Sequence, residues 1–113
     1  MNLLITGCCG HIGSYLVNNI YKIDKINKTF IVDNLHSTQI NSLFNIHKRN
    51  NIKFYNLDLT KKNALNKFNK IDYVIHLASM TNAAGSFNKK KEMYKNNINC
   101  MKNIINFCKN KKA

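Results

Sequence analysis

The first twenty-three residues constrain the fold most, because a short apolar run, three glycines and a helical apolar repeat follow one another there. Leu3-Leu4-Ile5 reads as a buried strand that stops at Gly7. Ile12, Leu16, Ile20 and Ile23 then recur at helical spacing, which predicts a helix from about Ile12 to Ile23 with those four side chains inward. Gly7, Gly10 and Gly13 occupy the turn between the two. Strand, glycine turn and helix form the context in which a glycine pattern signifies dinucleotide binding. Gly7 allows a sharp turn, Gly10 lets backbone approach a pyrophosphate, and Gly13 lets the helix pack close to the sheet. The phosphates would then meet the N–H groups and positive dipole end of the helix. The spacing is Gly-x-x-Gly-x-x-Gly, one residue longer in its first gap than the commonest fingerprint. A second apolar run, Thr29 to Val32, ends in Asp33, twenty residues after Gly13. A carboxylate is needed there to accept hydrogen bonds from an adenosine ribose. The plainer alternative is a tight turn whose Asp33 caps the next element.

Further along, strands and helices alternate. Ser37 can cap a helix carrying Ile40, Leu43, Phe44 and His47 on one face, which Asn50-Asn51 ends. Ile52 to Leu57 reads as a third strand with no clean division of its faces, running into Asp58-Leu59-Thr60. Thr60 is placed to cap a short helix with Ala64, Leu65 and Phe68. Tyr73 to Ala78 is nearly continuous in apolar residues, as expected of a strand covered on both faces. A small-residue loop, Ser79 to Ser86, leads to a long helix from about Asn88 to Lys109. Tyr94, Ile98, Met101, Ile105 and Cys108 form its expected buried stripe. This alternation predicts an α/β fold, a Rossmann-like doubly wound parallel sheet in the order 3-2-1-4 that stops after about four strands. Ligands of such sheets bind beyond the strand C-termini at the switch between strands one and four. Gly7 to Gly13, Asp33, Asp58 and Ala78 all fall at those ends.

At 113 residues the chain is one domain at most, and residues 1–113 read as an incomplete NAD(P)-binding domain. It contains no apolar run long enough to span a membrane and no signal-peptide pattern, so a cytoplasmic location without membrane association is expected. The net charge is +13, from seventeen lysines and one arginine against five acids, which raises nucleic acid as a partner. The lysines are scattered, however, and twenty-one asparagines accompany them with no proline, so the bias is chain-wide rather than a built patch. Nucleic acid is therefore not the expected partner. Of four cysteines, Cys8 and Cys9 sit inside the glycine turn, while Cys100 and Cys108 would be about 12 Å apart along a helix. No Cys-x-x-Cys and no His–Cys cluster has ligand spacing, so no metal is expected and all four read as reduced packing residues. His76, inside a strand, reads as a packed core histidine.

Five pieces together resemble the extended short-chain dehydrogenases, and within them the NAD-dependent nucleotide-sugar epimerases and dehydratases such as the UDP-glucose 4-epimerases. They are Thr6-Gly7-Cys8-Cys9-Gly10-His11-Ile12-Gly13-Ser14, Val32-Asp33-Asn34-Leu35, Asp58-Leu59-Thr60, Val74-Ile75-His76-Leu77-Ala78 and Tyr94-Lys95-Asn96-Asn97-Ile98. The resemblance implies that Gly7, Gly10, His11, Ile12 and Gly13 wrap the pyrophosphate. It implies that Asp33 binds the ribose hydroxyls and selects NAD over NADP, with Asn34 beside it. Asp58 and Leu59 would flank the adenine, and Leu77, Ala78 and Ser79 the nicotinamide-side ribose, with Asn97 bracing the site from the last helix. Asp58 acting only as a cap with Thr60 is the alternative for that residue. Cys100-Met101 stands where the family usually has Gly-Thr, and Met80-Thr81-Asn82 lacks the middle lysine usual in galactose epimerases.

The resemblance also implies what this chain does not carry. The family's catalytic Ser or Thr follows strand five, and its Tyr-x-x-x-Lys pair lies on the next helix. The one formal match, Tyr21 to Lys25, falls at the far end of helix one. The expected function is thus the NAD-binding N-terminal part of a nucleotide-sugar epimerase or dehydratase, inactive alone, with no catalytic residue assigned. The complete enzyme would act on a nucleotide-sugar as a homodimer. A non-catalytic nucleotide-binding or interaction module is the alternative, and a basic nucleic-acid binder ranks below it.

Overall fold

The computed structural model describes residues 1–35, 51–80 and 87–113, with the side chains of 87 and 88 left aside. The expected helix at Ile40 to His47, its Ser37 cap, its Asn50 stop and the loop at 81–86 lie outside the described residues. The elements are β1 (Asn2–Thr6), α1 (His11–Asn19) continuing into a 3-10 turn (Ile20–Lys22), β2 (Lys28–Asp33), β3 (Ile52–Asn56), β4 (Tyr73–His76) and α2 (Phe87–Lys111).

The four strands form one parallel sheet in the order β3-β2-β1-β4, as the alternation predicts. Thr6 stands opposite Val32 on one side and His76 on the other, so the strands end together. Successive residues of β1 point to opposite faces. Leu3 and Ile5 join Cys8, Cys9, Val17, Ile20 and Ile31 in the core under α1. Leu4 joins Val32, Leu59, Leu65, Phe68, Ile71 and the inward residues of α2 in the other core. Both faces of β1 are thus covered, which is why its sequence is apolar without alternation. Burying a side chain of the size of Leu4 or Ile5 contributes about 1.5–3 kcal/mol. In β3, Ile52 and Phe54 lean on the first core and Tyr55 on the second, joined there by Leu57 just beyond the strand.

Four expectations need correction. On α1 the buried residues are Gly13 and Val17, with Ile20 in the following turn, whereas Ile12 is 72% exposed and Ile23 also faces outward. Gly13 defines the inward face because it has no side chain to hold it off the sheet, and that turns Ile12 outward by one residue's rotation. On α2 the buried residues are Cys100, Ile104 and Phe107, whereas Tyr94, Met101 and Ile105 are 69%, 47% and 45% exposed. Two apolar stripes run side by side on this helix, and periodicity alone does not say which one the sheet covers. The segment after Thr60 is a succession of i to i+3 turns (Ala64 N–H to Lys61 O, Asn66 N–H to Asn63 O, Phe68 N–H to Leu65 O) rather than a helix, though Leu65 and Phe68 are buried as expected. Finally, β4 ends at His76 and is only half-buried, since it is an edge strand among the described residues.

Candidate functional site

The C-terminal ends of β1, β2 and β4, the segment after β3 and the middle of α2 enclose a cleft of about 340 Å³. Gly7, Gly10, Asp33, Asn34, Asp58, Leu59, Leu77, Ala78 and Ser79 line it, nine of the thirteen residues expected at a cofactor site. Leu57, Met80, Asn96 and Cys100 line it too, unforeseen from sequence. Asn96 and Cys100 are separated by one turn of α2 and adjoin the expected Asn97, so helical spacing from Asn97 is the signal that could have found them.

Gly7 turns the chain off β1 with φ +72°, a left-handed conformation that disfavours a side chain. A Cβ there would stand 2.6 Å from Ala78 N, so the turn and the end of β4 touch backbone to backbone. At Gly13 a Cβ would lie 2.0 Å from Gly7 O, which leaves no room for any other residue. Gly10 differs: a Cβ would meet only Gly7 O, at 3.4 Å, so the chain itself does not demand a glycine. The first turn of α1 has no acidic residue and no side-chain cap. Ser14 N–H reaches Gly10 O at 2.9 Å, and the three preceding N–H groups, of His11, Ile12 and Gly13, have no acceptor among the described residues. His11 and Ile12 are exposed and Gly13 is buried, and none of the three expected site residues lines the cleft.

Asp33 ends β2 with its carboxylate fixed from two sides. Oδ2 accepts Cys9 N–H at 2.9 Å and Oδ1 accepts Leu35 N–H at 2.9 Å, with Leu35 itself left-handed at φ +59°. Asn34 is exposed beside it. Asp58 Oδ1 accepts both the backbone N–H and the hydroxyl of Thr60, at 3.0 and 2.6 Å, which lowers its pKa below the ordinary 3.8. Asp58 and Thr60 thus close a local turn, and among the described residues no helix follows directly for either to cap. Asn103 Nδ2 donates to Leu59 O at 2.7 Å and holds this segment to α2.

The loop after β4 is fixed by two polar residues. Thr6 Oγ1 accepts Leu77 N–H and Ala78 N–H, each at 3.2 Å, and lies 2.7 Å from His76 Nδ1. Asn97 sits behind the cleft lining, where Oδ1 accepts Met80 N–H at 2.7 Å and Nδ2 donates to Met80 O at 3.1 Å. His76 is only half-buried and belongs to neither core, rather than the packed core histidine expected, because β4 is an edge strand among the described residues; desolvation still lowers its pKa. Burial pushes the Cys8 thiol far up, with Cys9 and Asp33 adding to the effect, so Cys8 is not an activated nucleophile. Burial, and then Asp58, likewise raise Cys100. Tyr21 lies in the turn at the opposite end of α1 from Gly10 and does not line the cleft. A larger hollow of about 470 Å³ lies between residues 61–66 and the C-terminal half of α2. It touches neither the glycine turn nor Asp33.

Comparison with known proteins follows the same line. The profile of the 3-beta hydroxysteroid dehydrogenase/isomerase family matches residues 4–113. A dTDP-D-glucose 4,6-dehydratase of Dictyostelium discoideum is 36% identical over 114 residues, 97% of this chain and 26% of that protein. A UDP-glucose 4-epimerase of Yersinia enterocolitica is 33% identical over 103 residues, 87% of this chain and 30% of that one. The crystal structure of a UDP-glucuronic acid 4-epimerase from Bacillus cereus, in complex with UDP-glucuronic acid and NAD, superposes with a TM-score of 0.77. It is 24% identical and covers 96% of this chain and 36% of that one. The present chain thus spans about a quarter to a third of the length of these relatives. No described helix is long and apolar enough to cross a membrane.

Proposed function

Because the chain belongs to the 3-beta hydroxysteroid dehydrogenase/isomerase family, we propose that its cleft binds NAD and that residues 1–113 are the dinucleotide-binding part of a nucleotide-sugar epimerase or dehydratase. The observation that carries this reading is the space left at Gly10 beside three N–H groups at the start of α1 that have no acceptor among the described residues. Those donors and the helix dipole suit a diphosphate. Asp33 holds one N–H on each oxygen, which leaves a lone pair on each for ribose hydroxyls. The same charge repels a 2′-phosphate and so favours NAD over NADP. Asn34, Leu57, Asp58 and Leu59 form the adenine wall. Leu77, Ala78 and Ser79 form the nicotinamide-side wall, held in place by Thr6 and Asn97.

When bound, the cofactor supplies a hydride acceptor at a sugar carbon; this chain's residues supply binding and orientation. The names of the two relatives point to a dTDP- or UDP-sugar as the complete enzyme's substrate. Among the described residues no tyrosine or lysine lines the cleft, and the chain alone is not expected to turn over. Oxidation of a UDP- or dTDP-sugar by the purified 113-residue chain would refute that. The outward stripe of Tyr94, Met101 and Ile105 on α2 suits a homodimer contact of the complete enzyme. Equilibrium titration with NAD tests the binding claim. Saturable one-to-one binding, lost in Gly10→Ala, supports it; no saturable binding up to millimolar NAD overturns it.

A further inference from the structure

The spacing of the cysteines in sequence gives no ligand set, but the fold brings a distant carboxylate to the adjacent pair. The Sγ atoms of Cys8 and Cys9 and a carboxylate oxygen of Asp33 all lie within 4.8 Å of one another. Both thiols are fully buried, in the apolar core with Leu3, Ile5, Val17, Ile20 and Ile31. From this juxtaposition we propose that Cys8, Cys9 and Asp33 form a binding site for a soft divalent cation of the zinc group beneath the glycine turn.

The donor set selects the ion. Two sulfurs and one carboxylate oxygen suit zinc or cadmium in a tetrahedron, and they exclude magnesium and calcium, which require six or more oxygens. Bond lengths of about 2.0–2.3 Å place tetrahedral donors about 3.3–3.8 Å apart, so the three groups need to close by about 1 Å. The carboxylate is already oriented: Cys9 N–H on Oδ2 and Leu35 N–H on Oδ1 are the outer bonds that such ligands use. Asp33 also lines the cleft, which opens that side of the cluster to an entering ion. On binding, each thiol loses its proton to solvent as its sulfur bonds the metal, so two protons leave per ion. Asp33 is shared with the dinucleotide reading, so an ion and a ribose would compete for its oxygens; the test uses no nucleotide and reads the ion alone.

Titrating the purified chain with cadmium chloride reads the site through the ultraviolet charge-transfer absorption of thiolate–cadmium bonds. One ion per chain is expected, with two protons released and a higher urea midpoint, because the ion binds the folded form. Affinity should fall at least tenfold in Cys8→Ala and in Cys9→Ala and stay unchanged in the Cys100→Ala/Cys108→Ala double variant. Should an alanine variant fail to fold, the cadmium-113 NMR spectrum of the unaltered chain decides, with couplings expected to the β-protons of Cys8 and Cys9. Absence of the absorption, its loss in the Cys100/Cys108 variant, or couplings to those two cysteines would overturn the proposal.

Discussion

Thr6 and His76, paired across β1 and β4, share a 2.7 Å contact between Oγ1 and Nδ1 whose polarity is fixed by its surroundings. The Thr6 oxygen already accepts two N–H groups, from Leu77 and Ala78. A hydroxyl has two acceptor sites and one proton. Its proton therefore points at His76, and Nδ1 must be bare. Replacing Thr6 by Val keeps the shape and removes the hub. Ala78 N–H and His76 Nδ1 then lose their partner inside the fold, at a cost of about 1–3 kcal/mol. Urea unfolding should show that loss, whereas Thr6→Ser should recover most of it.

The same pair makes stability depend on pH. The folded pKa of His76 lies below its ordinary 6.5, so the unfolded chain binds the proton more readily. Stability is fully present above 6.5 and falls as pH drops through the folded value. Asp58, also lowered, acts in the same direction but only at pH values below 3.8. Unfolding midpoints measured from pH 8 to pH 5 should fall in the unaltered chain and lose most of that slope in His76→Gln.

The glycines separate structural from ligand-binding demands. Gly13→Ala drives a methyl into Gly7 O and should cost about 1–3 kcal/mol or more, as overpacking does. Gly10→Ala, at an N-cap with room beside it, should cost under about 1 kcal/mol. Its effect should appear instead as at least a tenfold loss of NAD affinity. Parallel unfolding and binding curves on the two variants check this.

Much of this was legible in sequence because backbone constraints write themselves into residue type. A glycine at φ +72°, an apolar run covered on both faces and a carboxylate at the end of β2 have few alternatives. Whereas Asn34, Leu59, Leu77 and Ser79 came with the family resemblance, the sheet order and the placing of Gly7, Gly10, Asp33, Asp58 and Ala78 at the cleft follow from those constraints. The inward faces of α1 and α2 did not, for a related reason. A periodicity count gives Gly13 no weight, yet Gly13 sets how α1 is rotated; on α2, Ile104 and Ile105 are equally apolar and only tertiary packing ranks them. Thr6 was invisible as an organiser, since its three partners come from residues seventy or more positions away.

The two neighbouring isoleucines of α2 offer a direct comparison. Ile104 is buried in the core shared by Leu4 and Phe107, so Ile104→Ala should cost about 2–5 kcal/mol. Ile105→Lys should leave monomer stability within about 0.5 kcal/mol. If the outward stripe joins two copies, Ile105→Lys should also shift the sedimentation of the chain from dimer to monomer.

Calorimetric titration of NAD into the unaltered chain and into Asp33→Asn tests the central claim most directly, with urea unfolding confirming that both are folded. The account predicts saturable binding to the unaltered chain, weakened about 10- to 150-fold in the variant by the loss of about 1.5–3 kcal/mol of charged hydrogen bonding. No binding heat in the folded chain at millimolar NAD, or equal affinity in both proteins, would contradict it.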